Sequence, residues 1–209
     1  MKIETILAGH GGQGVLELAN WLAYFHLVEG RHVAYTPSYG PETRGGKVKC
    51  YVVSSDELID SPIVEDPDVL VVMNTPSMDF LSLLKPGGTL LVNSSLVKEC
   101  HGRDDVKVVE VPATEIAGGL REYSPEKGKD TTIAANSVMF GACLAVNGEK
   151  LREELDRIRE VFGHFLTGRK AAYIPLNVKA VEEGFEHVAR AGSGTPARRA
   201  SAPRPEIAS

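Results

Sequence analysis

Apolar residues fall in two rhythms along this chain. Over roughly the first half they come in short blocks: Lys2-Ile3-Glu4-Thr5-Ile6-Leu7-Ala8, His32-Val33-Ala34-Tyr35-Thr36, Val48 to Ser54, Val69-Leu70-Val71-Val72-Met73, Thr89-Leu90-Leu91-Val92-Asn93 and Val106-Lys107-Val108-Val109-Glu110-Val111. Blocks of this length, rich in β-branched residues, read as strands. The unbroken runs at 69–73 and 89–93 read as strands buried on both faces. Between and after them the spacing turns helical. A helix is predicted over Gly12–Glu29, with Leu16, Ala19, Trp21, Leu22, Ala23, Phe25 and His26 on a broad apolar face and Gly30 as its stop. Asn74-Thr75-Pro76-Ser77 reads as a turn and cap leading into a helix at Met78–Leu84. A short helix follows at Thr114–Ala117. Asp130 and Thr131 are placed to cap Thr132–Val146. Glu149–Leu166 is amphipathic through Leu151, Leu155, Ile158, Val161, Phe162 and Phe165, and Asn177–Ala189 is the last helix.

Strands that alternate with helices, some of them buried on both faces, indicate the α/β class: a mostly parallel sheet covered by helices, Rossmann-like and three-layered, with a helical C-terminal part. The first strand, glycine turn, helix and second strand form a βαβ unit, for which a right-handed crossover is expected. In such sheets ligands sit beyond the C-terminal ends of the strands. The glycine turn Gly9–Gly14 and the loop Pro37–Gly46 both belong at that edge.

Composition refines this picture. With 209 residues and 43% hydrophobic content the chain can bury a core without disulfides or metals. Residues 1–189 read as a single domain. From Arg190 onward the sequence turns to Gly, Ser, Ala, Pro and Arg, with four arginines against one glutamate, and residues 190–209 read as a disordered tail. The formal net charge is −5, so subtracting the tail's +3 leaves −8 on the body, and nothing global advertises nucleic acid. Cys50, Cys100 and Cys143 lie far apart with no CxxC, which argues against an iron–sulfur or zinc site in this chain and against a secreted disulfide scaffold. No signal-peptide pattern and no apolar run of membrane-spanning length is present, so the expected setting is the cytoplasm, without a membrane span.

The chemistry concentrates in two stretches. Gly9, Gly11 and Gly14, with Gly12 added, satisfy G-x-G-x-x-G between a strand and a helix. Such a turn can present backbone N–H groups and a helix N-terminus to an anion. A Rossmann dinucleotide site also wants an acidic residue at the end of the second strand, yet that strand ends Tyr35-Thr36-Pro37, and Glu29 precedes it. Autonomous NAD or FAD binding therefore stays an alternative, as does a purely structural turn. Gln13 among glycines can project its amide freely; His10 can bind a phosphate or act as an acid or base, but with no orienting carboxylate nearby in sequence it reads as a spacer. In the loop Pro37-Ser38-Tyr39-Gly40-Pro41-Glu42-Thr43-Arg44-Gly45-Gly46, Arg44 can approach a phosphate or carboxylate closely, or pair with Glu42 to shape the loop. Asn74 and Asn93 follow buried strands at the same edge, as caps or ligand contacts. Asn136 can cap its helix or bond a neighbouring loop. No catalytic dyad, triad or metal-spaced cluster emerges.

These motifs taken together carry a resemblance. Gly9-x-Gly-Gly-Gln-Gly-Val15, Ser38-Tyr39-Gly40-Pro41-Glu42-x-Arg44-Gly45-Gly46, Lys85-Pro86-Gly87-Gly88, Asn93-Ser94-Ser95-Leu96, Pro112-Ala113-Thr114-Glu115-Ile116-Ala117 and Ala135-Asn136-Ser137-Val138-Met139-x-Gly141-Ala142 resemble the gamma subunit of 2-oxoacid:ferredoxin oxidoreductases of the 2-oxoglutarate or branched-chain type, over about residues 2–186. The resemblance implies a multi-subunit enzyme that oxidatively decarboxylates a 2-oxoacid with coenzyme A, giving an acyl-CoA, CO2 and electrons for ferredoxin. It implies thiamine diphosphate with Mg between alpha and beta subunits, and iron–sulfur clusters on other chains such as a ferredoxin-like delta subunit. The gamma subunit would cover the active site and help bind coenzyme A without being catalytic alone. Gly9, Gly11, Gly12, Gln13, Gly14, Tyr39, Glu42, Arg44, Gly45 and Asn93 are the residues expected at that shared site, and exposed apolar surface is expected where partners dock.

Overall fold

The computed structural model describes residues 1–39, 46–100 and 103–192. Glu42, Arg44 and Gly45, His101, and the tail beyond 192 lie outside the described residues, as does the side chain of Tyr39. Among the described residues the strands are β1 (Lys2–His10), β2 (His32–Tyr39), β3 (Lys47–Ser55), β4 (Val69–Val72), β5 (Thr89–Asn93) and β6 (Lys107–Val111). The α-helices are α1 (Val15–Val28), α2 (Ala113–Gly118), α3 (Ala135–Val146), α4 (Leu151–Phe165) and α5 (Ile174–Gly192).

The six strands form one sheet in the order β2-β3-β1-β4-β5-β6. β1, β4, β5 and β6 pair in parallel, while β3 runs antiparallel to both β1 and β2. β2 is therefore parallel to β1 but not adjacent to it. The expected crossover unit exists with β3 inserted between its strands, because the short β2–β3 connection folds β3 back as a hairpin arm. β2 is an edge strand that accommodates Pro37, whose missing N–H is tolerated there.

Alternation along the strands divides the core in two. One face carries Leu7, Cys50, Val52, Val71, Leu91 and Val111 and packs against residues of all five α-helices. The other carries Ile6, Val53, Leu70, Val72, Leu90 and Val92. Its cover is not an α-helix: the segment predicted as a helix at Met78–Leu84 is a 3-10 helix, Thr75–Leu83, joined by Val64 and Val97 from irregular segments. Asn74 caps it, its side chain accepting from the Ser77 N–H, and Pro76 starts it. The helix predicted from Thr132 begins as a 3-10 turn at Thr132–Ala134, where the Asp130 carboxylate accepts from the Thr132 N–H, before α3 proper.

α3 and α5 cross with their backbones touching. A Cβ on Gly141 would land on the Val181 carbonyl, and one on Gly184 on the Val138 carbonyl. Trp21 of α1 packs edge-on against Phe162 of α4, with ring centroids 5.1 Å apart, and near Phe140 of α3. At the far end of α1 from the glycine turn, buried His26 meets Glu29 at 3.3 Å, and Arg157 pairs with Glu154 at 2.5 Å while stacking over Phe25. Burial lowers the pKa of His26, against the raising contact with Glu29 and with further lowering from Arg31 and Arg157. Burial and neighbouring carboxylates raise those of Glu149 and Glu154.

Two outcomes follow. Gly141→Ala or Gly184→Ala must push α3 and α5 apart and should cost about 3 kcal/mol or more, lowering the melting temperature by about 6 °C or more. Gly163→Ala, in α4 with nothing near its Cβ position, should instead stabilise by about 0.5–1 kcal/mol; thermal melts of the three variants check both. For His26 the sign is set by its depressed pKa. The unfolded chain takes up a proton near the ordinary value of 6.5 and the folded chain resists it, so stability falls as pH drops below that value. Melting between pH 7 and 5 should show a shallower loss in His26→Gln than in the parent.

Candidate functional site

The glycine turn emerges from the C-terminal end of β1, the strand held between β3 and β4. Its glycines do different work. A Cβ on Gly9 would meet Val15, Gln13 and Met73, so Gly9 lets the strand end pack closely. Gly14 starts α1 with φ +71°, and a Cβ there would strike the Asn136 amide. Gly12 also has positive φ, +97°, but has nothing within 4 Å of a Cβ position; it is the exposed crest of the turn. The Gly11 N–H donates to the Gly46 carbonyl at 3.3 Å, which ties the crest to the end of the loop that precedes β3.

Gln13 departs from the expectation of a freely projecting amide. Its Oε1 accepts from the His10 N–H at 2.8 Å and from Asn74 Nδ2 at 2.5 Å, and its Nε2 donates to the Met73 carbonyl at 3.3 Å. The Gln13 N–H in turn donates to the His10 carbonyl. This knot fastens the turn to the end of β4. With the Gly11 N–H given to Gly46, the N–H groups of Gly11 and Gln13 are both used inside the protein, and Glu17 stands in the first turn of α1.

Asn93 is fully buried at the end of β5. Its Nδ2 donates to Thr114 Oγ1 at 3.1 Å and its Oδ1 accepts from the Ser95 N–H at 3.2 Å, while Ser95 Oγ accepts from the Glu115 N–H. Asn93 thereby joins β5 to the start of α2. Asn136 bonds the neighbouring turn, its Nδ2 donating to the Gly14 carbonyl at 3.4 Å. From Asn136 a buried polar path continues: Ser137 Oγ donates to Asn177 Oδ1, and Asn177 Nδ2 donates to the Tyr173 carbonyl. The Tyr173 hydroxyl bonds Glu126, and Lys129 Nζ donates to both.

Two cavities open on either side of the crest. The larger, about 500 Å³, has the glycine turn and His10 on one wall and Ile133, Asn136, Leu166, Lys170, Tyr173, Leu176 and Asn177 around it. The smaller, about 280 Å³, is lined by Gly12, Gln13, Met73, Asn93, Leu96, Thr114 and Asp130 among others. Gly12 and Ile133 belong to both. Ile133 and Leu96 are exposed apolar residues on this rim. Of the expected residues, the fold thus brings Gly11, Gly12, Gln13, Gly14 and Asn93 to the two cavities and packs Gly9 behind them. Tyr39 ends β2 opposite Val48. Lys129, Lys170, Tyr173 and Asn177 carried no local pattern in the sequence; only chain folding moves them to the turn.

Glu29, considered as a ribose contact, is engaged with His26 and Arg157 at the opposite end of α1 and does not reach the turn. Cys50 and Cys143 are buried on separate elements, pushed up to about 11 and about 12 by burial, and so stay protonated.

The sequence pattern of the family described as "Pyruvate ferredoxin/flavodoxin oxidoreductase" matches residues 4–187. The ketoisovalerate oxidoreductase subunit VorA of Methanothermobacter thermautotrophicus is 39% identical over 186 residues, 88% of this chain and 36% of that protein. The chain therefore spans about a third of the length of that relative. The 2-oxoglutarate synthase subunit KorC of Archaeoglobus fulgidus is 34% identical over 186 residues, 88% of this chain and 87% of KorC. Among solved structures, the keto/oxoacid ferredoxin oxidoreductase gamma subunit of Geobacter sulfurreducens superposes with a TM-score of 0.68 at 26% identity, covering 90% of this chain and 99% of that one. A 2-oxoglutarate:ferredoxin oxidoreductase from Magnetococcus marinus shares the fold, with a TM-score of 0.74 at 17% identity over 95% of this chain and 32% of its own. Family pattern, relatives and fold agree over nearly the whole described chain, which belongs to the pyruvate ferredoxin/flavodoxin oxidoreductase family.

Proposed function

We propose that the chain works as the gamma subunit of a 2-oxoacid:ferredoxin oxidoreductase, covering the active site of an assembly and helping to bind coenzyme A. The observation that carries this reading is the exposed Gly12 crest, shared by two cavities at the C-terminal edge of the sheet. A ligand chain crossing from one cavity to the other passes bare backbone at Gly12, with the exposed Ile133 as the other residue common to both cavities. Family membership supports the proposed reaction class, in which a 2-oxoacid and coenzyme A give an acyl-CoA, CO2 and two electrons for ferredoxin. The VorA and KorC relatives are named for ketoisovalerate and 2-oxoglutarate, and the Magnetococcus marinus structure carries coenzyme A and succinyl-CoA.

In this reading Gly11, Gly12, Gln13 and Gly14 form the floor under the ligand, with Asn93 behind the smaller cavity. Tyr39 ends β2, and Glu42, Arg44 and Gly45 lie in the sequence between it and Gly46, which is tied to Gly11. Thiamine diphosphate with Mg and the iron–sulfur clusters are assigned in this reading to alpha, beta and ferredoxin-like delta partners; the three cysteines here stand far apart in sequence, with no CxxC to support a cluster. The exposed Ile133 and Leu96 at the rim fit a face that a partner covers. The assembly is proposed to be cytoplasmic; no helix among the described residues is long and apolar enough to cross a membrane.

Two measurements test the proposal. Purified from its native cells, the protein should co-elute with thiamine-containing partners; a lone monomer is the contrary result. In the assembled enzyme, Arg44→Ala should raise the KM for coenzyme A about tenfold, the scale of one charge-assisted contact, with the 2-oxoacid KM unchanged. Equal coenzyme A kinetics in variant and parent would remove Arg44 from the site.

A further inference from the structure

Three helix starts meet around the larger cavity, and one buried hydroxyl joins two of them. Gly14 opens α1, Asn136 and Ser137 lie in the first turn of α3, and Asn177 lies in the first turn of α5. The Ser137 N–H donates to Asn136 Oδ1 at 2.9 Å, which leaves the Nδ2 of that amide to donate to the Gly14 carbonyl. The Ser137 hydroxyl donates to Asn177 Oδ1 at 2.5 Å. Asn177 Nδ2 donates at 2.8 Å to the carbonyl of Tyr173, the last residue of the 3-10 helix Gly168–Tyr173 that carries Lys170.

Asn136, Asn177, Tyr173 and Lys170 line the cavity, and Ser137 does not. Ser137 is 0% exposed, so it touches nothing that enters the cavity. Stability does not account for its hydroxyl. The α3–α5 crossing is already closed by backbone contact at Gly141 and Gly184, and apolar groups of the same shape in place of both partners would serve packing about as well. The hydroxyl adds direction. Apolar packing fixes how near two helices lie but tolerates a small slide, whereas a short hydrogen bond weakens steeply when its angle changes. Ser137 and Asn177 form that bond at the cavity end of the crossing, where a slide would move Tyr173 and Lys170 relative to the glycine turn.

We propose that Ser137 is a positioning residue: through Asn177 it sets the distance across the larger cavity between the glycine turn and the wall bearing Tyr173 and Lys170, and so sets how tightly the assembly holds coenzyme A without meeting it. This rests on the proposed role in coenzyme A binding and names a residue behind the cavity wall that controls it.

The test is made on the native assembly, by calorimetric binding of coenzyme A and by steady-state kinetics. Ser137→Ala should raise the Kd and the KM for coenzyme A about fivefold, the scale of one hydrogen bond, with kcat and the 2-oxoacid KM those of the parent. Asn177→Ala should weaken coenzyme A at least as much. The double variant Ser137→Ala/Asn177→Ala should bind as Asn177→Ala alone does, because either change breaks the same link. Ala145→Gly, at the far end of α3, lowers helix stability without touching the link and should bind coenzyme A as the parent does. Parent-like binding by Ser137→Ala overturns the proposal and leaves the subunit's general role intact. Effects of Ser137 and Asn177 that multiply in the double variant also overturn it, since the two residues would then act separately. So does equal weakening in Ala145→Gly and Ser137→Ala, since lost stability would then explain both. A parent assembly that binds no coenzyme A overturns the proposed function, and this role of Ser137 with it.

Discussion

The position of the glycine turn depends on one amide. Gln13 bonds back to His10 in its own turn and across to Asn74 and the Met73 carbonyl at the end of β4. A turn with two positive-φ glycines would otherwise sample many conformations. The knot converts it into a fixed ridge standing on two adjacent parallel strands, and the two cavities exist because that ridge separates them. The same bonds consume donors that an isolated turn would offer to an anion, so rigidity is gained at the expense of a phosphate nest.

The other walls are set by the α3–α5 crossing. Gly141 and Gly184 let the helices approach to backbone contact. This close approach brings Ser137 to Asn177, and so connects the Asn136–Gly14 contact to Tyr173, Glu126 and Lys129. The buried part of this path, Asn136–Ser137–Asn177, favours one geometry, because shifting any member leaves another unpaired; its far end at Glu126 and Lys129 is exposed. The cavity wall bearing Lys170 is thus held in register with the glycine turn, although 156 positions of sequence separate it from Gly14.

The strands and most helix bounds were legible because apolar periodicity and caps are local properties. β5 lies where the apolar block places it, and Asn74 caps as its spacing implies. The 3-10 character of Thr75–Leu83 was not legible, since a short apolar stretch after a proline suits either helix. The insertion of β3 between β1 and β2 was hidden for a different reason: strand order depends on which edges meet, and a hairpin and a crossover leave the same marks on each strand taken alone.

The sequence by itself determined the α/β class, the glycine turn between strand and helix, and the family through motifs spread over most of the chain. Those features rest on near neighbours in sequence, which the backbone brings together regardless of the rest. Tertiary structure alone decided that Gln13 is a tie, that Glu29 points away from the turn, and that Ser137 meets Asn177. These are contacts between distant segments, and they arise only once sheet order and helix crossings bring the segments together.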